Sequence, residues 1–180
     1  MRRLVSIFAA SLFSLSLFAT TLERLSLDEM VQKSTAIVRA RSTGSSTVLR
    51  GSMIYTVYRL QVAEVLKGAM SPGTAEVYVP GGIYGRYRQS ISGAPALEPG
   101  VEYVLFLWAS PRGLVQVIGL SQGVFEIKQS ASGDLLLVRG RIDADLVDSG
   151  GRAVADAGMR VSLGSLREAL QRASAAREAR

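Results

Sequence analysis

Tyr84, Arg86, Tyr87 and Arg88 place two phenol rings and two guanidinium groups within five residues. Flat amphipathic rings beside delocalised cations gain affinity without needing a deep pocket, which is the chemistry of recognition rather than of catalysis. Gly81, Gly82 and Gly85 let the backbone approach a partner closely, and Pro95 with Pro99 stiffens the return. The segment 81–95 is therefore the expected binding surface. Its alternative is a lid, in which Tyr84 or Tyr87 folds back over the mouth of the core and the arginines are simply solvated. A second cationic set, Arg39, Arg41 and Arg59, falls on the polar faces of two expected strands, with Arg41 about opposite Arg59. Like charges so opposed need relief from Glu76, from an anionic ligand or from solvent, which makes the three a candidate anion patch.

No catalytic residue, metal or cofactor is expected. The chain has no histidine and no cysteine, which removes the Ser-His-Asp and Cys-His arrangements, His-based metal sites, thiol catalysis and disulfides. Ser90 and Ser92 have no lysine nearby to form a dyad. Glu98 with Glu102, or Glu64 with Glu76, offers the paired carboxylates a glycosidase needs, but these acids stand singly on strand edges and turns, where solubilising charge is the simpler role. Asp143, Asp145 and Asp148 before Gly150-Gly151 have the crowding of a calcium loop, yet Val154 occupies the position where such a loop closes with an acid. Gly81-Gly82 with Gly85 opens no helix, so it lacks the N-terminus that makes a glycine loop a phosphate cradle. Trp108 is expected to close a core or a strand end.

The 180 residues are 48% hydrophobic, enough for one core, with a net charge of +6. Met1-Arg-Arg3, an apolar stretch from Leu4 to Phe18 and Ala19-Thr-Thr21 have the layout of a secretory signal peptide over 1–19, with Thr20 and Thr21 as alternative cleavage points. Its removal takes away Arg2 and Arg3 and no acid, which leaves a charge of +4. That surplus favours anionic surfaces or glycans without selecting one. Export to the periplasm or exterior, with no transmembrane segment after cleavage, is the expectation.

The elements that must position these groups are mostly strands. Ile54, Thr56, Tyr58, Leu60 and Val62 alternate with Arg59 and Gln61, so Met53–Leu66 is the longest expected strand, and the slip of its apolar pattern places a β-bulge near Ala63-Glu64. Ser26 and Glu29 form a capping box for a helix over 27–34. A strand over 36–43, turns at 44–47 and 50–52, and strands over 74–79, 101–108, 114–119, 123–128 and 135–139 follow. Burial on both faces is expected over the second half of 101–108. The excursion 81–100 is read with a loose hairpin around 87–92, the segment 143–158 as a partly mobile surface loop, 159–163 as a last strand and 165–180 as a C-terminal helix. Residues 20–142 are thus read as an OB-like β-barrel domain and 143–180 as a loop and strand-helix extension. Residues 35–128 should form one barrel-like antiparallel sheet, with 53–66 paired to both 36–43 and 74–79.

The helix, Ser34–Gly44, the long strand ending in Lys67-Gly68, a Pro-Gly turn and Ala75–Val79 resemble the netrin-like domain, an OB-type barrel known from the tissue inhibitors of metalloproteinases. The chain also resembles a group of exported bacterial proteins in Ile54-Tyr-Thr56, Val65-Leu-Lys-Gly68, Gly81-Gly82, Gly93-Ala-Pro95, Pro99-Gly100, Leu105-Phe-Leu107 and Gln122-Gly123. The resemblance implies an OB-like, netrin-like antiparallel barrel entered by a short N-terminal helix, so that the expected fold is mainly β, with the C-terminal helix read from its own capping box added to it. It implies no catalytic residue. The inhibitors grip zinc through an N-terminal cysteine, which this chain lacks. The expected function is that of a non-enzymatic binding module whose partner is a protein or an anionic glycan, nucleic acid being disfavoured for want of a basic-aromatic comb. The alternatives are a protease-inhibitor-like or protease-associated protein without the cysteine mechanism, and a carboxylate-dependent hydrolase.

Overall fold

The computed structural model describes residues 21–111, 113–130 and 132–178, and the expected signal peptide lies outside them. In chain order the elements are β1 (Leu22–Glu23), α1 (Leu27–Lys33), β2 (Ala36–Arg50), β3 (Met53–Lys67), β4 (Gly73–Pro80), β5 (Gly82–Tyr84), β6 (Tyr87–Gln89), β7 (Glu102–Ala109), β8 (Val115–Val117), β9 (Val124–Gln129), β10 (Leu135–Arg139), β11 (Leu146–Val147), β12 (Ala153–Val154), β13 (Met159–Ser162) and α2 (Leu163–Glu178). The fold is mainly β. One antiparallel sheet runs β13-β10-β9-β7-β2-β3-β4, with β8 paired to β7. As expected, β3 pairs with both β2 and β4.

The β2–β3 ladder runs uninterrupted through Gly44–Thr47, which is strand and not turn, to a tight connection at Gly51-Ser52. It is bent three times. The register skips Ala63, as the sequence pattern predicts, and also Leu66 and Thr43. Each unpaired residue raises the local twist, so one long hairpin serves two differently oriented surfaces. On one face Val38, Ala40, Leu60, Leu105 and Leu107 build a core; on the other, Ile37, Val104, Phe106, Phe125 and Leu137 meet Met30 and Val31 of α1 and Leu166 and Ala169 of α2. The C-terminal helix is therefore a layer over the sheet. In β7 burial on both faces spans Tyr103–Leu107 and stops before Trp108, which is 39% exposed, because the strand outruns both cores there.

Two further expectations are refined. Segment 143–158 is a surface loop, but one with short pairings of its own: β11 pairs in parallel with β1 and antiparallel with β12, and Asp156 within it is buried. The hairpin of the 81–100 excursion turns at Gly85-Arg86, so Tyr87–Gln89 is its return strand rather than the start of a later hairpin.

The α1–β2 junction explains the Lys67-Gly68 ending of β3. Ser26 caps α1 and receives Glu29 in return, the Ser26 N–H and hydroxyl holding that carboxyl below its usual range. At the other end Lys67 Nζ donates to the carbonyl of Val31, to that of Ser34 at 2.6 Å and to that of Gln32 at 3.3 Å. A cation on the last carbonyls complements the helix dipole and satisfies acceptors the helix cannot. Lys67→Met should therefore lower stability by about 1.5–3 kcal/mol, the range for charged hydrogen bonds. Urea denaturation checks it, and an unchanged midpoint would show that water serves the carbonyls equally well.

Candidate functional site

Four of the five large apolar residues that stand exposed among the described residues, Leu49, Ile83, Tyr84 and Tyr87, gather at one end of the molecule; the fifth is Trp108. This end is where β5–β6 lies over the tip of the β2–β3 hairpin. The chain leaves β4 by one further ladder bond, Gly81 N–H to Ile54 O at 2.8 Å, and then turns across the face of β3. Thr56 Oγ1 donates to Gly81 O at 2.9 Å, Thr47 Oγ1 donates to Ile83 O at 2.8 Å, and Ile54 N–H donates to Gln89 Oε1 at 2.7 Å. The small hairpin is thus strapped by the carbonyls of Gly81 and Ile83 and by the Gln89 side chain. Gly82, at φ +138°, permits this: a Cβ there would come within 2.7 Å of Thr56 Oγ1. The glycine pair serves close packing of backbone on sheet, which accounts for it without a phosphate.

With the hairpin held in this way, Ile83, Tyr84, Arg86, Tyr87 and Arg88 are left exposed, while the Gln89 side chain turns in to Ile54 N–H. Tyr84 is 44% and Tyr87 58% exposed, so neither folds back as a lid. Between the hairpin and the β2–β3 tip lies a groove of about 460 Å³, lined by Leu49 and Ile54 on one side and by Tyr84, Tyr87, Arg88 and Gln89 on the other. Arg86 lies over one face of the Tyr87 ring at 5.3 Å and donates to the Tyr87 hydroxyl at 3.2 Å. The structure thus brings together all four residues named from the sequence. Leu49, Ile83 and Gln89 were not named, although Leu49 beside a Gly-Ser turn is the kind of exposed apolar residue that marks such a surface.

The cationic set is arranged differently from the expectation. Arg41 stands opposite Gln61 and Arg59 opposite Gly44, not opposite each other, because the hairpin turns between Arg50 and Met53, later than a turn centred on Arg50 would; the extra residue Thr43 moves Arg41 by only one position. Arg59 also has Glu76 beside it on β4, and its guanidinium lies 3.5 Å from where a Gly44 Cβ would stand. Arg39 makes a two-pronged pair with Glu102, at 2.9 and 3.2 Å, and this hydrogen bonding raises its pKa despite partial burial. Acids interleave with the arginines. An anion there would compete with Glu102 for Arg39, which leaves Arg41 and Arg59 as the exposed cations of the set.

Of the nominated carboxylates, Glu102 is held by Arg39, and Glu76 accepts from the Tyr78 hydroxyl at 3.0 Å. Asp148 Oδ1 accepts the N–H groups of Gly150 and Arg152, each at 2.9 Å, so it closes its own turn. Among the described residues no group of three or more acids gathers as a metal site. Trp108 stands on a second, apolar cleft of about 310 Å³ between β4 and β8, with Tyr78, Pro80, Pro95 and Leu120. Gln122 and Gly100 are internal supports. Buried Gln122 accepts from Leu25 N–H at 2.7 Å and donates to Glu23 O at 2.8 Å, tying the N-terminal segment to the sheet, while Gly100 N–H donates to Ser42 O at 2.8 Å. Comparison with protein-family models, curated proteins and solved structures finds no match to this chain.

Proposed function

We propose that the chain is an exported, non-enzymatic binding module of OB-like, netrin-like architecture, and that the β5–β6 hairpin is its recognition surface. The observation that carries this reading is the concentration of exposed Leu49, Ile83, Tyr84 and Tyr87 with Arg86 and Arg88 on a strapped hairpin beside a groove. A hairpin fixed through its backbone yet exposing its rings loses little conformational entropy on binding, which is how preorganised surfaces gain affinity. The architecture is supported by the capped helix leading into β2, by the repeated bending of β3 and by the two-sided burial of β7. The protein is a partner-binding component of the cell envelope or exterior.

The test replaces Tyr84, Arg86, Tyr87 and Arg88 together with serine. Immobilised wild type and variant are compared for retention of proteins from an exported fraction and of oligosaccharides on a glycan array. Exposed substitutions change stability little, so Tm should stay within about 3 °C. Retained ligands should weaken at least tenfold. A variant that melts early and keeps its ligands would make the hairpin a structural cover, and the reading would fail.

A further inference from the structure

The same groove indicates what class of partner it takes. Resting on the reading above, we infer that its occupant is an extended, acidic segment of a protein partner, paired through its backbone to the outer edge of β6.

The register of the hairpin leaves one strand edge open. Tyr84 pairs with Tyr87, Ile83 with Arg88 and Gly82 with Gln89, around the two-residue turn Gly85-Arg86. In an antiparallel hairpin closed by two residues the first pair exchanges hydrogen bonds and the next does not, so the Arg88 N–H and C=O turn away from β5. The opposite edge of the hairpin is already taken, since Ile83 O accepts from Thr47. β6 is therefore the edge left to a partner strand, and it runs along the groove to which Arg88 and Gln89 contribute. Addition of an extended segment to such an edge is a recurrent mode of peptide recognition, in which the backbone supplies affinity and alternate side chains supply selectivity.

Charge selects the kind of segment. Residues 44–58 and 77–97, which form the β2–β3 tip and the hairpin with its flanks, contain no aspartate or glutamate, yet they contain Arg50, Arg86 and Arg88; Arg59, further along β3, has Glu76 beside it and is not counted among them. A segment lying along β6 meets Arg86 and Arg88 with no acid of the tip or the hairpin to cancel them, so acidic residues are selected and basic ones rejected. The lining itself is apolar. Leu49, Ile54 and Tyr84 offer a side-chain-sized recess next to the arginines, which suits an apolar residue alternating with acids along a strand. A glycan fits less well. It has no repeating N–H and C=O to match a strand edge, and Arg86 already covers one face of the Tyr87 ring on which a sugar would stack.

The experiment selects a phage-displayed library of random dodecapeptides on the immobilised protein, with the quadruple serine variant as counter-selection and sulfated and uronic-acid oligosaccharides assayed in parallel. Enriched peptides should carry acids alternating with large apolar residues. A synthetic copy of the best should bind at least tenfold more weakly to Arg88→Ser, and again when its central residue is N-methylated, which removes a backbone donor without changing charge. Melting of Arg88→Ser alongside wild type confirms that the variant is folded. Absence of enrichment over the quadruple variant, enrichment of basic or neutral sequences, or indifference to N-methylation overturns the inference. Oligosaccharides that bind and are lost in the quadruple variant, with no peptide selected, overturn the peptide assignment while leaving the hairpin as the recognition surface. If no ligand of either kind distinguishes the quadruple variant, both readings fall.

Discussion

Replacing Asp156 with alanine should cost about 3–5 kcal/mol, the range for removing one partner of a buried ion pair, and lower Tm by roughly 10 °C for a chain of this size. Its carboxylate receives Arg139 Nη1 at 2.8 Å and Nη2 at 2.9 Å, with both side chains only 5% exposed, and also accepts Ile142 N–H at 2.8 Å. Without Asp156 the guanidinium stays buried with little to replace it. Arg139 Nε already lacks an acceptor among the described residues. The loss is one of pairing rather than of packing, so Arg139→Met combined with Asp156→Leu should recover most of it. Calorimetry on the two variants decides the matter. A loss below about 1 kcal/mol in Asp156→Ala would show that water enters the site and serves the arginine.

The same carboxylate sets a pH dependence. Burial alone would raise its pKa, but the Arg139 hydrogen bonds, the Ile142 and Gly158 N–H groups and the Arg139 charge outweigh that and hold it below the ordinary value of 3.8. A carboxyl depressed on folding contributes stability that is complete above its unfolded pKa and is lost as pH falls through its folded pKa. The contribution should thus be intact above about pH 5 and fade below pH 4. Asp156→Asn should flatten the acid limb of a stability–pH curve, and an unaltered limb would assign acid unfolding to other groups.

Gly68→Ala should be the most damaging single methyl addition in the chain, at about 3 kcal/mol. A Cβ there would stand 2.3 Å from Thr35 O and 3.1 Å from Ala36 Cβ, and φ is +92°. Both contacts belong to the junction where Lys67 caps α1, so neither can yield without moving the helix. Gly51→Ala provides the comparison, since φ is +62° but nothing lies within 4 Å. It should cost only the left-handed backbone strain, about 1 kcal/mol. Equal losses in the two variants would mean that conformation, and not the contact with Thr35, makes Gly68 necessary.

These supports mark the boundary of what local sequence can reveal. Period-two alternation located β3 and β4, and its slip located the bulge at Ala63, because a register change displaces every later side chain to the other face. The bulge at Thr43 left no such trace. It lies in a polar stretch where neither face demands burial, and Arg41 consequently faces Gln61. Asp156 read as part of a small, polar loop because its partner is 17 residues away and no spacing rule links them. Likewise the Lys-Gly ending of β3 is visible as a motif, but its purpose depends on carbonyls more than thirty residues earlier. The residues of the proposed recognition surface were legible for the opposite reason. Tyr84, Arg86, Tyr87 and Arg88 adjoin in sequence and need only a hairpin to act together, whereas Leu49 joins them through the fold.

The proposed division of the distinctive residues into internal supports and one exposed recognition surface is tested most directly by measuring Tm and retention of one selected ligand on the same two variants. The quadruple serine variant at residues 84, 86, 87 and 88 should melt with wild type and bind at least tenfold more weakly. Gly68→Ala should melt several degrees lower and, below its transition, bind as wild type does. If the hairpin variant instead melts early while the folded Gly68→Ala protein loses the ligand, the recognition surface lies near the helix junction and not on the hairpin.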